Sequence, residues 1–239
     1  MVLDSHIVKV KVEGKYACFT RPDLKAERMS YPCMTPSAAR GILDSILWKP
    51  EFKWWVRRIL VLNKVQFVTI KRNEIGRKQS KTPIVIQDRE VRVQRNSVVL
   101  KDVAYIIEAS IYQDEPDADN PPKKYAEMFE RRVRKGQCYR RPYLGTREFA
   151  LEFSPVTGNE KCYGGDIDIG SLFFDMHYDE HGKPSPLFCY GMKVLNGVLE
   201  WPEENNRRLM TSSHHRPVRE DGVKDLLDFY AKEEAAHDL

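Results

Sequence analysis

The side chains best suited to chemistry lie close together. Lys123 and Lys124 are adjacent, and Arg131, Arg132, Arg134, Lys135, Arg140 and Arg141 follow shortly after them. From Lys123 to Arg147 nine cations stand against two anions, a net charge of +7, whereas the whole chain carries +4. A field this concentrated attracts a polyphosphate and releases its counterions. Tyr125, Tyr139 and Tyr143 are interleaved with the cations, and flat rings of this kind support unstacked bases. Adjacent lysines also support chemistry, which makes Lys123 or Lys124 a candidate proton-transfer group. Its charged neighbour would stabilise the extra negative charge on a phosphorane. The ribose 2′-hydroxyl supplies the nucleophile in RNA, so this chemistry needs a base, an acid and a cation but no metal. The alternative is a solvated basic helix face with Tyr125 and Phe129 in the core, its lysine pair simply exposed.

Other reactive types carry less. His177 and His181 flank Asp179 and Glu180, but His181-Gly182-Lys183-Pro184 reads as a turn, so no metal site and no cofactor are assigned. His214-His215 falls in a polar tail, and Trp48, Trp54 and Trp55 are assigned to packing. The sequence contains no G-x-x-x-x-G-K-[ST] phosphate cradle, no Gly-x-Ser-x-Gly elbow and no His-Glu-x-x-His pair, which removes nucleotide hydrolysis, serine hydrolysis and zinc proteolysis. The five cysteines are odd in number and widely spaced, which suits a reducing cytoplasm. Met1 to Lys9 lacks the apolar run of a signal peptide, and no stretch approaches the roughly 18 apolar residues of a membrane span. The expectation is a cytoplasmic protein with no membrane contact.

The elements that must position these groups are legible from periodicity. Val8, Val10 and Val12 alternate with Lys9 and Lys11, and Tyr16 to Phe19 follows a turn at Gly14, predicting an opening strand or hairpin. Thr35-Pro36 offers an N-cap and a first-turn proline, and Ala39, Ile42, Leu43, Ile46 and Leu47 repeat at helical spacing, predicting a helix from about Pro36 to Trp48. Apolar β-rich runs follow at Ile59 to Leu62, Val65 to Ile70, Ile84 to Ile86, Val98 to Val99 and Val103 to Ile111. From Pro121 the pattern turns helical through Tyr125, Met128, Phe129 and Val133, with Gly136 as its stop. Arg147 to Phe153 resumes β character. The order is α+β and matches the βαββαβ ferredoxin-like motif of RNA-recognition domains. Further antiparallel strands at Ile167 to Tyr178 and Leu187 to Trp201, joined by the turn-rich Glu180 to Pro186, predict a smaller C-terminal β lobe. The expected division is a ferredoxin-like RNA-recognition domain over 1–158, an antiparallel β lobe over 159–206 and a polar tail over 207–239, in which Val223 to Tyr230 could form a short helix.

Three longer blocks carry a family resemblance. They run from Phe19-Thr20-Arg21-Pro22 through Arg28 and Ser30-Tyr31 to Gly41-Ile42-Leu43; from Gln94-Arg95-Asn96-Ser97 to Ala104-Tyr105; and from Arg131-Arg132 through Lys135-Gly136-Gln137-Cys138 and Arg141-Pro142-Tyr143-Leu144-Gly145 to Arg147-Glu148-Phe149. Over roughly residues 5 to 205 the chain resembles the CRISPR-associated Cas-five family, subtype d, of type I-C systems in the RAMP superfamily. The resemblance implies an endoribonuclease that cuts precursor crRNA at the 3′ base of the repeat hairpin without a metal. It would then stay on the 5′ handle in a surveillance complex beside backbone and large subunits. A metal-dependent nonspecific cut of DNA is a secondary implication, and a non-catalytic handle-capping subunit is the competing reading. Arg28, Arg131, Arg132, Arg134, Lys135, Arg140 and Arg141 are the expected RNA contacts. The family's active site pairs a tyrosine at the end of the first helix with a consecutive lysine and histidine before the second. Lys123 fits the lysine, Lys124 stands at the histidine and Leu47 at the tyrosine, which leaves proton transfer to the lysines or to groups such as Tyr31 or Tyr125.

Overall fold

A computed structural model describes residues 2–24, 26–78, 83–85, 89–115 and 118–212. Its organising element is a strand of 22 residues, β5 (Arg92–Gln113). Strands β1 (Val2–Leu3), β2 (Val8–Ala17), β3 (Lys53–Val61) and β4 (Phe67–Ile75) all pair with it antiparallel. The first half of β5 forms a ribbon with β4, from Phe67 opposite Leu100 to Ile75 opposite Arg92. Its second half, from Leu100 onward, is flanked by β2 and β3 and is buried almost throughout.

Beyond these lie α2 (Pro122–Lys135), β6 (Glu152–Ser154), β7 (Ile167–Tyr178), β8 (Pro184–Leu195) and β9 (Val198–Leu199). The main sheet runs β6-β2-β5-β3-β9-β8-β7, and β9 joins its two parts by pairing with both β3 and β8. The architecture is a large antiparallel sheet with few helices.

The first helix, α1 (Pro36–Ile46), begins as its sequence dictates. Thr35 is extended at φ −82° and its hydroxyl accepts from the Ala38 amide at 3.3 Å, with Pro36 at the first helical position. The helix ends two residues short of Trp48, at Ile46, and is capped by Leu47, whose amide donates back to the Leu43 carbonyl. Ala39, Ile42, Leu43 and Ile46 are buried, as are Tyr125, Ala126, Phe129 and Val133 of α2. They meet Val8, Val10, Val12, Ile107, Ala109 and Ile111 of the sheet in one core. Trp54 stacks edge-on against Phe129 at 4.9 Å and donates its indole N–H to the Leu47 carbonyl, so a tryptophan assigned to packing closes the exit of α1.

Three expectations change. The opening segment is the strand of the two expected alternatives, and the turn expected at Gly14 is replaced by continuous pairing, Gly14 standing opposite Val103. A Cβ there would stand 2.6 Å from a Leu144 methyl, so the glycine makes room for packing and turns nothing. Arg147 to Phe153 contributes a strand only from Glu152, the residues before it forming turns. A third helix, α3 (Glu203–Met210), was not expected; Asn206, Leu209 and Met210 are buried, Asn206 donating to the Val56 carbonyl at 2.9 Å. Its apolar signal is too short to read beside its charges. The possible helix at Val223 to Tyr230 lies outside the described residues. Among the described residues no helix is long and apolar enough to cross a membrane.

Candidate nucleic-acid interface

Helix α2 divides its side chains by angle. At about 100° per residue, Lys123, Arg134, Arg131, Lys124 and Lys135 share one arc of roughly a third of the circumference, while Tyr125, Ala126, Phe129 and Val133 occupy the buried one. All five cations are exposed. The apolar half holds the helix on the sheet, so the charged half must face water. Pro122 suits the first turn, and Gly136 ends the helix in the left-handed region at φ +63°, where a Cβ would cost energy. With about 1.5 Å of rise per residue, the lysine pair and Arg134 lie roughly 17 Å apart along the axis.

The turn after α2 is pinned to the end of α1. The amides of Tyr139 and Arg140 both donate to the Ser45 carbonyl, at 2.9 and 3.0 Å. Arg132, which spacing places on the apolar side of α2, is partly buried and donates to the Ile46 carbonyl at 2.6 Å. A guanidinium there satisfies a carbonyl that the helix leaves unpaired and opposes the negative end of its dipole. Downstream the turn locks onto β2: Cys18 donates to the Leu144 carbonyl at 3.0 Å, and Gly145, at φ +84°, packs so tightly that a Cβ would lie 2.0 Å from the Cys18 carbonyl oxygen. Arg140 and Arg141 are thus exposed on a turn anchored at both ends.

The expected site residues fall into three sets. Arg131, Arg134 and Lys135, with Arg140 and Arg141 after them, gather around the end of α2. Lys123 and Lys124 begin the same helix; the Lys123 ammonium stands 3.9 Å from Glu127, and that of Lys124 donates to the Asn120 side chain at 2.7 Å. Arg28 belongs to a different element, a loop whose carbonyl accepts from Val98, and its guanidinium reaches Glu74 of β4 at 4.0 Å. Leu47 is 0% exposed. Tyr31 and Tyr125 are also buried; the Tyr31 hydroxyl accepts from the Phe173 amide, and burial raises its pKa. His177 and His181 lie on β7 and on the turn after it, and among the described residues no cluster of three or more His, Cys, Asp or Glu has metal-site geometry.

One feature of the site escaped the sequence. Arg40 of α1 forks onto Asp175 of β7 at 2.6 and 2.9 Å and reaches Asp44 at 3.1 Å. Burial works against the Arg40 charge, but the two carboxylates outweigh it and hold its pKa above the ordinary value. Burial, helped by Asp175, pushes the Asp44 carboxyl up to about 6 against the pull of Arg40 and Arg140. The available signal was an aspartate inside the apolar run Ile167 to Tyr178, since a buried charge demands a partner.

Residues 7–225 match the model of the CRISPR-associated protein (Cas_Cas5) family, subtype Cas5d. The chain is 44% identical over 219 residues to a Thermus thermophilus protein named CRISPR pre-crRNA endoribonuclease Cas5d, covering 84% of this chain and 94% of that one. It is 38% identical over 217 residues to a Mannheimia succiniciproducens protein of the same name, covering 82% and 94%. Among solved structures, one titled as a CRISPR-associated protein superposes with a TM-score of 0.63 at 27% identity, covering 84% of this chain and 95% of its own. The chain belongs to the Cas5d family of CRISPR-associated proteins.

Proposed function

We propose that this protein cuts precursor crRNA at the 3′ base of the repeat hairpin and stays on the 5′ handle within a surveillance complex, beside backbone and large subunits. The observation that carries the reading is the exposed cationic arc of α2, continued by Arg140 and Arg141 on a turn fixed to α1 and β2. The names of the 44% and 38% identical relatives support the activity. The strand order β6-β2-β5-β3, with α1 following β2 and α2 following β5, supports a ferredoxin-like core over residues 1–158, to which 159–206 add a β lobe.

In this reading the 2′-hydroxyl at the cut site gives its proton to solvent water and its oxygen attacks the adjacent phosphorus. The bond to the 5′ oxygen breaks, giving a 2′,3′-cyclic phosphate and a 5′-hydroxyl, and the leaving oxygen takes a proton. Lys123 and Lys124, both exposed at the start of α2, supply a proton and the positive charge that the phosphorane requires. Arg131, Arg134, Lys135, Arg140 and Arg141 hold the strand. Arg132 acts from beneath by fixing the end of α1, and Arg28 makes a separate contact.

A second reading, a handle-binding subunit without turnover, is favoured by the buried Leu47 at the position expected for a catalytic tyrosine. The repeat RNA, incubated with protein in excess EDTA, separates the two. The proposal expects one discrete cut that disappears with a 2′-deoxy nucleotide at that position. Tight binding with no cut establishes the second reading.

A further inference from the structure

Beside the anchored turn lies a cavity of about 360 Å³, within the range of small-ligand sites. Its floor is one face of α1, where Ser37, Gly41 and Ser45 follow at helical spacing; an added Cβ on Gly41 would meet nothing within 4 Å. Arg140 and Tyr143 come from the turn, and Phe173 of β7 completes the wall. The cavity therefore combines a guanidinium, hydroxyl groups and the rings of Phe19, Tyr143 and Phe173 on the flank of the cationic arc.

An independent feature continues from its wall. Phe173 lies opposite Phe188 in the β7–β8 ladder, with ring centroids 5.7 Å apart, and Phe188 is followed by Tyr190 at 6.4 Å. Leu172, Phe174, Leu187 and Cys189 are buried, whereas the row leads from Phe173, partly buried against the core, through half-buried Phe188 out to water. Tyr190 is 77% exposed. An aromatic row on a sheet surface is an arrangement that takes successive unstacked bases.

We propose that the cavity between α1 and the Arg140–Tyr143 turn receives one unstacked nucleotide of the repeat RNA, and that Phe188 and Tyr190 carry its neighbour. This rests on the RNA reading above and adds where single-stranded nucleotides leave the stack. Arg140 meets a phosphate at the mouth, and the hydroxyls of α1 offer donors and acceptors to a base edge. The site reads base shape, whereas the arc of α2 reads only charge.

The test is affinity for the repeat RNA, measured by fluorescence anisotropy on the full chain, with abasic substitutions placed one at a time along the RNA. Stacking contributions of the usual size predict that one or two adjacent single-stranded positions lose about 5- to 150-fold when the base is removed. Gly41→Leu fills the cavity from its floor, and is expected to bind the intact RNA weakly and to lose its sensitivity at one of those positions. Tyr190→Ala, at an exposed position where folding is not at stake, is expected to do the same at the neighbouring position. A flat abasic profile on RNA that still binds tightly overturns the cavity and leaves the cationic arc standing. Repeat RNA bound no better than a scrambled strand overturns both. If both variants fold and bind RNA as the parent does, while Tyr190→Ala is displaced from its assembly, the row is a protein contact and the proposal fails.

Discussion

At the scale of single residues, the site separates charges that face water from charges that hold the scaffold. Lys123 and Arg131 are free of the core, whereas Arg132 and Arg40 are tied to carbonyls and carboxylates. Sequence spacing placed the exposed cations correctly because solvent exposure follows from the apolar stripe opposite them. It also placed Arg132 on the apolar side of α2, where the partner it anchors to is the Ile46 carbonyl, 86 residues away. Removing the Arg40 guanidinium would leave Asp175 buried without its ion pair, so Arg40→Ala should cost about 3–5 kcal/mol of stability, read from denaturant unfolding. Asp44 makes a pH prediction. Its folded pKa of about 6 lies above the unfolded carboxylate value, so the folded state binds the proton more tightly and Asp44 lowers stability as pH rises from about 4 to 6. Asp44→Asn should therefore gain stability relative to the parent progressively across that window and hold the gain above it. A difference between the two proteins that does not change with pH would contradict this.

At the scale of elements, local signals and long-range pairing had different fates. Helix α1 was legible because Thr35-Pro36 and the apolar spacing act within a few residues, and α2 because Gly136 ends what Pro122 begins. Strand β5 was legible only in pieces. Its first half, Arg92 to Ser97, is polar and reads as a loop; pairing with β4 makes it a strand, and no local pattern encodes that register. The anchored turn was also invisible, since its hydrogen bonds reach Ser45 and Cys18, far away in the sequence. Two substitutions test these elements. Gly145→Ala forces a Cβ into the Cys18 carbonyl at positive φ, and should destabilise by about 2–3 kcal/mol, seen as a lower Tm, and weaken RNA binding with it. Phe129→Ala, which removes a fully buried ring against Trp54, should cost about 3–5 kcal/mol.

At the scale of the whole molecule, one antiparallel sheet carries α2 on the core it shares with α1, while β9 extends the sheet to the strands that pack on α1 through Asp175. The net charge of +4 would not announce a nucleic-acid partner; its concentration on one helix and turn is what the RNA reading rests on. Binding should therefore weaken steeply with salt, and Arg134→Ala together with Arg141→Ala should flatten the slope of log K against log salt by about 1.4, since each phosphate contact to a single strand contributes roughly 0.7. The division of labour between lysine pair and arginine arc is tested most directly by single-turnover cleavage of the repeat RNA in EDTA across a range of protein concentrations. Lys123→Ala should lower the saturating rate at least 100-fold with half-saturation unchanged, and the double arginine variant should raise half-saturation while keeping the rate. A Lys123→Ala protein that cuts as fast as its parent would contradict the account.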